Sequence, residues 1–120
     1  MHMENDFFPQ FSRVEFERRH RIVKASMKEK GLDCLIIYGG YSYAGNDTGQ
    51  FNVVYLANYA GINQSYLVFP KEGNPSLMIC HAHHIPNAKD ISVIEDIRYG
   101  GGYDLVEGLG QRIEQLLTSA

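Results

Sequence analysis

One stretch constrains the fold more than any other. Leu32 to Tyr38 is apolar at every position but Asp33, and it is closed by Gly31 on one side and Gly39-Gly40 on the other. A short apolar run punctuated by glycine predicts a β-strand. Its nearly continuous apolar character predicts that both faces are covered, as in a central strand of a layered α/β sheet. Such a strand needs helices above and below it, and the flanking sequence supplies them.

The segment before it reads as a helix with a defined start. Ser12 and Glu15 form an S-x-x-E capping box that would satisfy two orphaned amide donors, and Phe11 and Phe16 stand at the staple positions. Phe16, His20, Val23 and Met27 recur at helical spacing and mark a buried stripe. Arg18, Arg21, Lys24 and Lys28 fall away from that stripe, and Gly31 closes the helix as a residue free to take positive φ.

After Gly40, the polar stretch Tyr41 to Gln50 is long for a loop, and long ordered loops carry function disproportionately. Phe51 to Ala57 is ambiguous between helix and strand. Ser65–Phe69 and Pro75–Cys80, joined through a Pro-Lys-Glu-Gly-Asn turn, predict an antiparallel hairpin. His81 to Asp90 reads as a connection with a helical turn begun at Pro86. Ile91 to Tyr99 reads as a further strand, broken by Gly100-Gly101-Gly102. Asp104 and Glu107 cap a closing helix whose stripe is Leu105, Val106, Leu109, Ile113, Leu116 and Leu117. Gly108 and Gly110 each weaken that helix by ~1 kcal/mol against alanine. The sum is an α/β domain with a mixed sheet, over residues 12–120 behind a tail of residues 1–11. A closing helix normally returns the chain to the sheet, so the sheet is expected to lack its last strand.

Charge narrows the function classes. The net charge of −3 argues against a dedicated nucleic-acid binder. It is uneven, because residues 13–30 hold seven of the eleven basic residues and carry +4. Arg21, Lys24 and Lys28 are therefore a candidate basic interaction face, against the plainer reading of a solvated helix surface. No segment reaches the ~18 apolar residues of a membrane span, and the polar, acidic start has no signal-peptide order. Cys34 and Cys80 lie in strand-like runs and read as reduced, buried thiols of a cytoplasmic protein.

The densest constellation of chemistry-bearing side chains is His81-Ala82-His83-His84. On a strand, His81 and His83 would face one way and His84 the other, too few to converge on a zinc ion. The histidines read instead as cleft- or partner-facing groups at a strand end. Tyr41 and Tyr43, set among small and polar residues, read as a contact surface. Glu95-Asp96 reads as a solvated strand end and the glycine triplet as a turn. No catalytic constellation stands out, so the residues alone describe a folded module without a self-contained active site.

The order of segments carries a further signal. Phe16-Glu17-Arg18-Arg19, then Met27-Lys28-Glu29-Lys30-Gly31-Leu32-Asp33-Cys34-Leu35-Ile36-Ile37, then Asn52 to Tyr59, then Tyr66 to Pro70 with Gly73-x-Pro75, follow one another along the chain. This resembles the N-terminal domain of the creatinase, prolidase and Xaa-Pro aminopeptidase family over roughly residues 13 to 117. Ala57-Asn58 stands where that family commonly has Thr-Gly. The resemblance implies an RNase H-like mixed sheet flanked by helices. It also implies a following C-terminal "pita-bread" domain that binds two divalent metals, manganese, cobalt or zinc. The ligands of those metals have no counterpart here, so no catalytic or metal residue is carried over and no cofactor is expected in this chain. Implied partners are that catalytic domain, a second subunit in a homodimer, and a peptide or creatine-like substrate reached through the whole enzyme. Membranes are not implied. The alternative is a stand-alone interaction module of the same fold, holding a protein or nucleic acid through its basic face or its tyrosine loop.

Overall fold

A computed structural model of the chain describes residues 11–40, 48–61, 64–101 and 106–118. Helix α1 spans Arg13–Lys30. Ser12 caps it as expected, its hydroxyl accepting from the Glu15 amide at 3.2 Å. The second half of the expected capping box is replaced. The Glu15 carboxylate turns to Arg18 at 2.7 Å and Arg19 at 3.1 Å, because two guanidiniums one turn on outcompete a neutral amide. Arg19 also enters the expected hydrophobic staple: its guanidinium lies 4.4, 4.8 and 4.5 Å from the rings of Phe11, Phe16 and Tyr55. Gly31 ends the helix at φ 70°, and the Leu32 amide reaches back to the Met27 carbonyl.

Strand β1 is Cys34–Gly39. A single 3-10 turn at Thr48–Gln50 leads into α2, Phe51–Ala57, which resolves the ambiguous segment as a helix. Asn58 closes α2 at φ 54°, the left-handed conformation that glycine favours and asparagine tolerates. The hairpin forms as read, with β2 at Ser65–Pro70 and β3 at Ser76–Ile79. A 3-10 turn at Ala82–His84 and helix α3, Ile85–Ile91, follow, with Pro86 in the first turn. The strand expected from Ile91 to Tyr99 is shorter: α3 consumes Ile91, and β4 is Asp96–Tyr99. Helix α4 is Val106–Thr118, and Asp104, its expected cap, lies outside the described residues.

The sheet is mixed and open, in the order β1-β2-β3-β4, antiparallel twice and then parallel. Residues of one parity, Leu35 and Ile37 with Leu67, Phe69, Leu77, Ile79 and Ile97, form its inner face. They meet Met27 of α1, Val53, Leu56 and Ala57 of α2, and Ala88 of α3 in one core. The other face is covered by α4, which packs on β2 and β3. Its Arg112 donates to Ser76 Oγ at 2.7 Å, Ser76 donates to Asp96 at 2.6 Å, and Arg98 pairs with Asp96 while reaching Gln115 of α4 at 2.8 Å.

This arrangement overturns the central position expected of β1. It is an edge strand, half wrapped: Leu35 and Ile37 enter the core, whereas Ile36 and Tyr38 stay 45% and 46% exposed. The strands buried on both faces are β2 and β3. Hairpin pairing places β2 and β3 inside, and α4 is anchored over them by Arg112, leaving the outer face of β1 beyond its reach.

Candidate functional site

The strand directions decide which loops meet. Because β1 and β3 both run antiparallel to β2, and β4 runs parallel to β3, the carboxyl ends of β1, β3 and β4 lie at one end of the sheet. Carboxyl ends are where open α/β sheets gather ligands. Three segments leave from here: Gly39-Gly40, Cys80 to His84, and Gly100-Gly101. Backbone bonds stitch them to the sheet. The Gly40 amide donates to the Gly49 carbonyl at 3.0 Å and the Gly100 amide to the Ile79 carbonyl at 2.9 Å. Gly101 takes φ 104°, a backbone conformation open to glycine, and Gly102 lies outside the described residues. At Gly39 a side chain has no room, since a Cβ there would sit 2.6 Å from Ser65 Oγ and 2.7 Å from Gln50 Oε1.

The histidines behave differently from the strand reading. Ile79 ends β3, so His81, His83 and His84 ride a tight 3-10 turn instead of a pleat. The tighter turn gathers all three rings, with centroids 5.3, 5.4 and 4.2 Å apart. Desolvation, then the neighbouring His83 and His81, lower the pKa of His84 and favour its neutral form. A neutral imidazole at His84 offers both a donor and an acceptor to a polar ligand. Among the described residues, no group of three or more His, Cys, Asp or Glu is placed to hold a metal ion. The divalent metals that the resemblance implies therefore do not fit here, and no chemical step at a metal is assigned to these residues.

The remaining candidates separate. Tyr41 and Tyr43 lie outside the described residues. Arg21, Lys24 and Lys28 do not make a free cationic stripe. Arg21 and Lys28 are exposed, but Lys24 donates to the Gly73 carbonyl at 3.2 Å and lies over the Phe69 ring. Lys24 and Lys28 border a depression of about 310 Å³ that Lys71 and Glu72 complete, so its charge is mixed. His20 is structural: its Nε2–H donates to the Leu56 carbonyl at 2.7 Å and its ring meets Phe69 edge-on. Asp96 is not a solvated strand end. Burial opposes its charge, but hydrogen bonds from Arg98 and Ser76 outweigh that and lower its pKa. Burial raises the thiol pKa of both Cys34 and Cys80, and both thiols are free.

Sequence reasoning missed one feature. A cleft of about 620 Å³ opens between the outer face of β1 and the end of α4, lined by Cys34, Ile36, Pro70, Ile113, Leu116 and Leu117. Only the apolar periodicity of α4 combined with the edge position of β1 exposes it, and the edge position is not written locally.

The fold is similar to that of solved structures. An Xaa-Pro aminopeptidase from Streptococcus pyogenes superposes with a TM-score of 0.66 and 18% identity, over 87% of this chain and 69% of that one. This chain has the creatinase/prolidase-like N-terminal fold. An Xaa-Pro aminopeptidase from Streptococcus thermophilus gives 0.62 and 22%, over 82% of this chain and 66% of its own. The N-terminal, creatinase/prolidase-like domain of a protein described as a metallopeptidase from Corynebacterium diphtheriae gives 0.55 and 15%, over 72% and 60%. The chain thus spans about two thirds of the length of these structures. No protein-family model and no curated protein matches it. The creatinase/prolidase-like fold is carried here by pattern and packing more than by residue identity. Among the described residues, no helix is long and apolar enough to cross a membrane.

Proposed function

We propose that this chain is the N-terminal domain, residues 12–120, of a metal-dependent Xaa-Pro hydrolase of aminopeptidase P or prolidase type. The reading is supported by one observation above the others: a four-stranded mixed sheet with its helices superposes on Xaa-Pro aminopeptidase structures over most of its length. In this reading the chemistry belongs to a C-terminal catalytic domain with two divalent metals, which activate water when bound. The present residues serve dimerisation and access to that centre in a cytoplasmic enzyme.

Access is assigned to the sheet end that carries His81, His83 and His84. Imidazoles on a short turn can hydrogen-bond a peptide without binding it tightly, which suits a gate more than a catalytic base. The test is hydrolysis of Xaa-Pro peptides by the product of the complete reading frame, beside the 120-residue chain alone. Hydrolysis abolished by chelation in the former and absent in the latter supports the reading. Turnover by the 120 residues alone, or no Xaa-Pro hydrolysis by the complete product, overturns it. For the gate, His83→Ala and His84→Ala are expected to raise KM by ~3- to 10-fold while kcat stays within ~2-fold, the signature of lost binding without lost chemistry.

A further inference from the structure

We infer that a cleft between α1 and the segment joining α3 to β4 is a binding site for a small zwitterion, a free α-amino acid or a dipeptide. The inference does not rest on the hydrolase reading, because it concerns binding by this chain alone.

The cleft follows from how its walls are tied down. The last carbonyls of α2 hold both of them. Tyr55 accepts from Arg19 at 2.9 Å and Leu56 from His20 at 2.7 Å, which fixes α1. Ala57 accepts from the Val93 amide at 3.0 Å and from Ser92 Oγ at 2.6 Å, which fixes the segment ahead of β4. Ser92 Oγ in turn accepts from the Ile94 amide at 3.1 Å, and the Ile94 side chain is buried in the core. Two walls pinned to one helix end keep their spacing, so a ligand between them meets partners already in place. The space is about 470 Å³, ample for an amino acid or a dipeptide.

The charges that line the cleft define the ligand class. Arg13 belongs to the α1 wall and Glu95 to the other. Among the described residues neither side chain makes an ion pair or a hydrogen bond, with the other or with any third group. The remaining ionisable groups of the cleft are already committed. Asp96 accepts from Arg98 and Ser76, and His20 gives its Nε2–H to the Leu56 carbonyl. An uncommitted guanidinium and an uncommitted carboxylate in one cleft suit a molecule with a carboxylate at one end and an ammonium at the other. A simple anion would be repelled by Glu95 and a simple cation by Arg13, so a single charge gains little there. Pro75 and Val93, both half-buried, line the same cleft and offer apolar surface to an aliphatic side chain.

The test is an NMR titration of the isotope-labelled 120-residue chain with L-leucine and with glycyl-leucine. Beside them stand N-acetyl-leucine, which lacks the ammonium, and leucinamide, which lacks the carboxylate. The amides of Arg13 and Glu95 and their neighbours are expected to shift, with a dissociation constant of ~1 mM or below for at least one zwitterion. Both capped forms are expected to bind ~10-fold or more weakly. Whichever of leucine and glycyl-leucine binds more tightly identifies the zwitterion, and either result supports the site. Arg13→Gln should lose the preference for leucine over leucinamide, and Glu95→Gln the preference for leucine over N-acetyl-leucine. A purely structural role for either residue would not produce that split, and circular dichroism confirms that each variant is folded. No saturable shift with either zwitterion up to ~10 mM overturns the proposal. So does a capped form that binds as tightly as leucine, or unaltered binding by folded R13Q and E95Q.

Discussion

At the scale of single residues, the beginning of α1 shows how charge redirects a local motif. The Glu15 amide donates to the capping Ser12 hydroxyl, but the Glu15 carboxylate belongs to Arg18 and Arg19. The Arg18 hydrogen bond, opposed by some desolvation and aided by Arg19, pulls its pKa down from 4.5 to about 2. Folding therefore favours the ionised form. That contribution is complete above pH 4.5 and disappears as the pH falls through about 2. The urea midpoint of E15Q should accordingly lie below that of the wild type near neutrality, with the gap closing across this window. A gap that persists unchanged at pH 2 would contradict the assignment. Asn58 teaches a related lesson. Where the family resemblance has glycine, this chain takes a left-handed backbone with asparagine and uses the side chain to hold the Ile91 carbonyl at 2.9 Å.

Elements add information that composition lacks. Gly108 and Gly110 have equal helix propensities, yet their surroundings differ. A Cβ at Gly108 would meet the Gly100 backbone at 2.8 to 3.2 Å, whereas nothing lies within 4 Å of one at Gly110. Alanine at Gly110 should stabilise by ~1 kcal/mol through propensity alone. At Gly108 it should destabilise by ~1–3 kcal/mol, because α4 would have to lift from the turn that seats it. Thermal denaturation of the two single variants reads the opposite signs directly. The same scale explains why the histidines were legible as a cluster but not as a triad. A strand would have divided the three rings between two faces, and which of the two a short segment adopts depends on where β3 ends. The hairpin, α1 and α4 were legible because their periodicity, caps and turn residues are local.

Across the whole molecule, stability concentrates in the two central strands. Leu67, Phe69 and Leu77 are fully buried, and Phe69 packs against His20 from α1 with Lys24 above its ring. Phe69→Ala should cost about 3–5 kcal/mol in equilibrium unfolding, through lost transfer energy and the cavity left behind. A loss below ~1 kcal/mol would mean that the core is elsewhere. The apolar pattern of the chain determined by itself that α1, β2, β3 and α4 exist, that the class is α/β, and that no helix among the described residues is long and apolar enough to cross a membrane, because each depends on side chains a few positions apart. Tertiary structure alone decided that the most apolar strand lies at an edge with one face uncovered, that Asp96 is held by Arg98 and by Ser76, which Arg112 of α4 contacts in turn, and that the histidine turn lies at the same sheet end as the carboxyl ends of β1 and β4. These outcomes depend on the order in which strands pair and on where a helix comes to rest. Both are fixed by contacts between residues tens of positions apart, for which a local reading of the chain has no ruler.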